Sequence, residues 1–174
     1  MAKKTRKIIL PEYIPNTLCL YTDGSAITSR VDPMCYGGWG LYITNHIDEH
    51  IGYKDSGINT TVSRMEQEAL DHALEFTINR IKSGEEKPIH IYSDSQFVVN
   101  SIHKGWLSNW VRERFIGRTN ADIWKRIWSK LEILRKNKAE YEIHHMNGHL
   151  EDLNHPHIFG NNMADLLADY KQHL

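Results

Sequence analysis

Three strand-like runs follow one another before any helix begins, and that order limits what this chain can fold into more than any other feature. Leu18-Cys19-Leu20-Tyr21-Thr22 reads as a buried strand closing at Asp23-Gly24, Gly37 to Ile43 as a second, and a third lies around His50 to Tyr53. From Ser63 to about Lys82 the apolar positions Met65, Ala69, Ala73, Phe76 and Ile81, with Leu70 and Leu74 beside them, follow helical spacing, and Ser83-Gly84 ends the run. A strand at Ile89 to Ser93, a short helix from Ser95 to His103 and renewed helical periodicity from Asp122 to Lys136 come next. A strand at Tyr141 to His145 and a last helix from Asn162 to Gln172 complete the pattern. Reduced to βββαβαβα, it predicts an α/β fold: a five-stranded mixed sheet with helices packed on it. Successive strands can pair through hairpins, whereas strands separated by a helix can pair in parallel.

With 174 residues, 40% hydrophobic and 25% charged, the chain has material for one core. The division expected is a basic N-terminal extension over residues 1–16, with Lys3, Lys4, Arg6 and Lys7, and one domain over residues 17–174. Disorder is the expectation for the basic tail itself. No apolar run approaches the roughly 18 residues that cross a bilayer, so no membrane partner is expected. Cys19 and Cys35 lack metal-ligand spacing and read as buried thiols of a reducing, cytoplasmic compartment. A monomer is the expectation for assembly. The net charge of -1 conceals an asymmetry, because residues 103–138 carry ten Lys or Arg against Glu113, Asp122 and Glu132, a local balance of +7. Such a stretch can hold a polyanion, or it can be no more than solvated helix faces.

Four carboxylates each have a local explanation. Asp23-Gly24 is a hairpin signal at a strand end. Ser63-Arg64-Met65-Glu66 fits a capping box, in which Glu66 reaches back to the Ser63 backbone. Asp94 precedes a helix, where an acid commonly caps. Asp165 stands in the first turn of the last expected helix, where the macrodipole favours negative charge. Taken together they suggest more, since two acids end strands and two open helices that can converge at one sheet edge. Clustered carboxylates without counter-cations repel one another, and hard divalent cations relieve that.

Tyr21-Thr22-Asp23-Gly24-Ser25, Arg64-Met65-Glu66, Ser93-Asp94-Ser95-Gln96, Gly148-His149 and Asn161-Asn162-Met163-Ala164-Asp165 resemble, in order, the motifs of type 1 ribonuclease H. The resemblance covers about residues 17–172. It implies an endonuclease that hydrolyses the RNA strand of an RNA–DNA hybrid with two Mg²⁺ ions, Mn²⁺ being an alternative, and leaves 3′-hydroxyl and 5′-phosphate ends. It further implies that Asp23, Glu66, Asp94 and Asp165 are the metal ligands, with Asp23 bridging both ions, and that His149 assists proton transfer or product release. Backbone groups near Gly24 and Ser25 would help read 2′-hydroxyls.

The segment from Lys104 through Trp106, Trp110, Arg112 and Arg114 to Arg118 is similar to the family's basic protrusion over residues 103–120, here shortened, which grips the DNA strand. Trp offers a flat face and Arg a fork for phosphate, although Trp106 and Trp110, four apart, also suit a core. Asn120 matches a phosphate-contacting position. Val62-Ser63 stands where many members carry two Asn, so some side-chain contacts to the hybrid are expected to be missing and substrate affinity to differ, with Ser63 the substrate-binding residue expected there. The glycine-rich turn after the first Asp is replaced by Ser29 to Cys35. The loop from His149 to Asp165 is extended by Leu150 to Phe159, and its His155-Pro156-His157 is read as no metal site for want of a nearby Cys. The alternatives are a non-cleaving nucleic-acid-binding module on the same fold, which would be expected to lack one of the acids, and an integrase-like or junction-cleaving nuclease.

Overall fold

The computed structural model describes residues 7–27 and 35–169. Five strands, β1 (Leu18–Ile27), β2 (Tyr36–Thr44), β3 (His50–Ile58), β4 (Ile89–Ser93) and β5 (Tyr141–His145), form one sheet in the order β3-β2-β1-β4-β5. The first three pair antiparallel, while β4 and β5 add in parallel beside β1, so the mixed sheet follows from the element order. The helices are α1 (Val62–Lys82), α2 (Gln96–His103), α3 (Trp106–Arg112), α4 (Ala121–Lys136) and α5 (Pro156–Ala168).

The period-2 alternation of β1 separates two cores. Leu18 and Leu20 point to the side carrying α1, where Leu41, Ile43, Ile89, Ile91 and Ile143 join them with Leu70 and Leu74 of the helix. Cys19 and Tyr21 point to the other side, where Tyr42, Tyr92, Met146 and Ala164 of α5 form a smaller cluster. The chain just after Lys7 closes that cluster: Leu10 and Tyr13 pack against it, and the Ile9 carbonyl accepts from the Asn147 amide at 2.8 Å. The charged positions Lys3, Lys4 and Arg6 of the expected tail lie outside the described residues, as does most of the Ser29 to Cys35 segment.

Several boundaries differ from the sequence expectation. β1 does not close at Asp23-Gly24 but runs on to Ile27, with Asp23 opposite Gly40 and Gly24 opposite Trp39. Gly24 does not adopt a positive φ; it serves close approach, since a Cβ there would lie 2.3 Å from the Glu66 amide nitrogen. The Trp-rich stretch contains the unanticipated α3, whose seven residues are too few to show a period, with Leu107 and Trp110 buried. The last helix starts six residues early, because Pro156 at its first turn needs no amide partner and His155 caps it by accepting from the His157 amide. Pro156 therefore initiates the helix, and the loop expected to reach Phe159 is correspondingly shorter. Residues 170–172 of the expected helix lie outside the described residues.

α5 reaches the sheet through glycines on both partners. A Cβ on Gly160 would sit 2.2 Å from the Tyr21 ring, and one on Gly40 2.4 Å from the Ala164 carbonyl. Gly160→Ala should therefore overpack a rigid aromatic contact and destabilise the fold by about 2 kcal/mol or more. Urea unfolding would show this as a lower midpoint at constant slope, and an unchanged midpoint would contradict the packing described.

Candidate active site

The parallel pairing of β1 with β4 ends at Thr22 opposite Ser93, and an aspartate follows at once on each strand. Asp23 stays in the sheet through β2, while Asp94 enters the turn before α2. Glu66 arrives from the opposite side, because the missing side chain at Gly24 lets the backbone of α1 settle against β1. Carboxylate oxygens of Asp23, Glu66 and Asp94 lie within 4.8 Å of one another. Asp165, on α5, lines the same open cleft of about 670 Å³ and lies close enough to Asp23 to help raise its carboxyl.

The local explanations for these acids fail one by one. α1 is capped by Thr61, whose hydroxyl accepts from the Arg64 amide, so Ser63 is not the cap and Glu66 closes no capping box. Ser95, not Asp94, caps α2. Asp165 lies in the third turn of α5, away from the helix start, and Asp23 is inside a strand.

What remains is an electrostatic cost. Burial, then the charges of Glu66 and Asp94, hold the Asp23 carboxyl far above the usual range. Glu66 is pushed up to about 8 by burial and by Asp94. Asp94 is also raised, first by burial, with His149 opposing. No Lys or Arg is among the cleft's described lining residues, and Glu66 Oε2 is buried without a hydrogen-bond partner. An all-oxygen donor set with an unused buried acceptor fits a hard divalent cation, since of the described lining residues only His149 acts against the acids' charge, and its largest effect falls on Asp94.

His149 sits on the rim, exposed, with a left-handed backbone (φ 56°). Gly148 before it is pressed onto Asp94, for a Cβ there would fall 2.3 Å from Oδ2. Gly24, Ser25 and Ser63 line the same cleft, but the Ser25 hydroxyl donates to the Ala168 carbonyl and the Ser63 hydroxyl accepts from Gln67 at 3.0 Å. A second hollow of about 260 Å³ adjoins, sharing Ser63 and Phe97 and including Thr61, Trp110, Arg118 and Asn120. Trp110 offers it little open face, since its ring packs on Trp124 at 5.3 Å and Arg118 covers it at 5.1 Å. Trp106 is part-buried against the main core, and Arg112 and Arg114 are exposed outside both hollows. Asn120 is oriented by Arg64, which also grips Asp122 through both guanidinium nitrogens at 2.7 and 3.1 Å.

Two features escaped the sequence reading. Phe97 is 45% exposed and borders both hollows; an aromatic three residues after Asp94 on a short helix was the available signal. The positive charge of α4 is partly spent inside the protein, where Arg126 and Lys130 pair with Asp71 and Glu68 of α1. The +7 balance thus overstates what faces solvent.

Carboxyls raised on folding stabilise at low pH and lose that contribution as pH climbs through the folded value. Cation-free protein should accordingly weaken between about pH 4 and about pH 8 from this cluster. Glu66→Gln should raise the urea midpoint at pH 8 in EDTA and flatten that slope, and Mg²⁺ should stabilise the wild type more than the variant. Parallel pH profiles for the two proteins would exclude the repulsion.

Residues 15–172 match the RNase H family model. A ribonuclease H of Syntrophomonas wolfei is 35% identical over 142 residues, covering 78% of this chain and 86% of its own. Among solved structures, the prototype foamy virus protease–reverse transcriptase aligns with a TM-score of 0.71 at 26% identity, over 93% of this chain but 21% of that longer one. LC11-RNase H1, solved in complex with an RNA/DNA hybrid, aligns with a TM-score of 0.57 at 16% identity, over 90% of this chain and 99% of its own, which speaks for the fold. The carboxylate cleft at the end of the β1–β4 pairing therefore belongs to a nuclease, and the chain is a member of the ribonuclease H family.

Proposed function

We propose that the protein hydrolyses the RNA strand of RNA–DNA hybrids, with Asp23, Glu66, Asp94 and Asp165 holding two Mg²⁺ ions, and leaves 3′-hydroxyl and 5′-phosphate ends. The observation that carries this reading is the convergence of four carboxylates, one with a buried unpartnered oxygen, in an open cleft with no Lys or Arg among its described lining residues. Bound there, paired divalent cations supply activation of water and charge stabilisation at the scissile phosphate.

The chain's own part is positioning and proton traffic. The β1–β2–β4 framework holds Asp23 and Asp94, and Gly24 admits Glu66, so the ligand oxygens are set by packed backbone rather than by loops. Exposed His149 stands on the cleft rim close enough to Asp94 to oppose the rise of that carboxyl, a position suited to relaying a proton to or from the reacting phosphate. The backbone at Gly24 and Ser25 lines the cleft, and the hollow with Thr61, Arg118 and Asn120 supplies hydroxyl, guanidinium and amide groups suited to a backbone phosphate. Support for the hybrid as substrate comes from the family and from the complex of LC11-RNase H1.

The deciding experiment offers labelled RNA–DNA hybrid, double-stranded RNA, double-stranded DNA and a four-way junction, with Mg²⁺ and with EDTA. Cleavage confined to the RNA of the hybrid and abolished by EDTA is the expected result; junction cleavage or metal-independent cutting would reject the proposal. Asp94→Asn should abolish turnover while hybrid binding persists, since it removes ligand charge but little volume, and near-wild-type turnover would remove Asp94 from the ligand set. His149→Ala should lower kcat by roughly 10²-fold. A wild-type kcat with an unchanged profile across pH 6 to 9 would leave His149 without a role.

A further inference from the structure

The parallel register of β4 and β5 sets His90 opposite Glu142 and Tyr92 opposite His144, and alternation turns all four toward the α5 side of the sheet. Three donor atoms meet there. His90 Nδ1 lies 2.8 Å from His144 Nε2, Glu142 Oε2 lies 3.3 Å from His144 Nε2, and it lies 3.9 Å from His90 Nδ1. We infer that His90, Glu142 and His144 form a site for a borderline divalent cation of the Zn²⁺ class, separate from the carboxylate cleft.

Tetrahedral Zn²⁺, with bonds of about 2.0–2.2 Å, separates its donors by roughly 3.4 Å, and the three observed separations bracket that value. Binding then requires the two imidazoles to part by several tenths of an ångström and turn toward a common point, while the carboxylate, on a 65% exposed side chain, adjusts freely. The contact between the two ring nitrogens uses a single proton, which the cation replaces. His90 is largely buried and stacked with Tyr92, and the His144 ring also lies on Tyr92 at 4.9 Å, so both imidazoles are held in place by packing. Burial and the neighbouring His90 lower the His144 pKa, which keeps its ring neutral and available as a ligand. Two nitrogens and one oxygen favour a transition cation, whereas the all-oxygen cleft favours a hard one, and His90 stands four residues, roughly 13 Å of strand, from Asp94.

A second grouping, Cys19, His46 and His157, brings a cysteine beside the His-Pro-His segment after all, since the fold does what sequence spacing does not. There the Tyr21 hydroxyl already bonds both imidazoles at 2.8 Å, so their demand is met without a cation. Among the described residues no such group stands between His90, His144 and Glu142.

The test is a Zn²⁺ titration of the cation-free full chain in a large excess of Mg²⁺, followed by Co²⁺ as a spectroscopic probe. One equivalent of Zn²⁺ should bind, and Co²⁺ should give the intense visible absorption of nitrogen-containing tetrahedral coordination. His144→Ala should lose that band, and Glu142→Gln, a change at an exposed side chain that leaves folding and Mg²⁺-dependent hydrolysis intact, should weaken binding by at least about tenfold. Asp94→Asn should keep it. Absence of binding, or binding and spectrum untouched by Glu142→Gln and by a folded His144→Ala, would overturn the inference.

Discussion

Where Gly24 has no side chain, the backbone of α1 at Met65 and Glu66 occupies the space a Cβ would need, and the rest of the site depends on that contact. It brings Glu66 down onto β1 beside Asp23, although the two acids come from opposite faces of the sheet. The same approach carries Ser63 into the cleft and Thr61 into the adjoining hollow, and Arg64, outside both, fixes Asn120 and Asp122 at the start of α4. One close backbone contact thus sets the positions of a buried ligand atom and of the surface beside it.

The resulting cluster is unfavourable by itself. Three of its carboxyls are raised by burial and by neighbouring acids of the cluster, and no Lys or Arg is among the described residues that line the cleft. Elsewhere the protein neutralises its charges with care: Asp71 is paired with both Arg126 and Lys130, and Asp122 is held down to about 2 by Arg64. The contrast marks the cleft as the place where packing is set against electrostatics, which is how a binding site differs from a surface ion-pair network.

Much of this was legible in the residues. The strand order, the long helix and the four acids could be read because period-2 and period-3.6 patterns survive over many residues, and because the acids fall in linked motifs. The errors were local. Asp-Gly inside a paired strand, Ser63 three residues before Glu66 and Pro156 before a helix all carry short-range signals whose competing reading was the right one. Tertiary contact decided each case: Gly24 by what packs on it, Glu66 by the cap at Thr61, and Trp110 by its burial against Trp124. The grouping of His90 with Glu142 and His144 could not be read in advance, because it exists only in the register between two strands about fifty residues apart.

The sheet order also bears on time. β1, β2 and β3 can close as neighbouring hairpins, but β4 must cross α1 to reach β1, and β5 must cross three helices to reach β4. Long closures are entropically costly and tend to come late. Asp23 and Asp94 meet only when β4 has docked, and Asp165 only when α5 has settled. The mutual repulsion of the acids therefore weighs on the last stages of assembly and leaves the early hairpins untouched. In kinetic terms the site shortens the lifetime of the native state more than it slows its formation, and an ion that enters the cleft acts chiefly as a brake on unfolding.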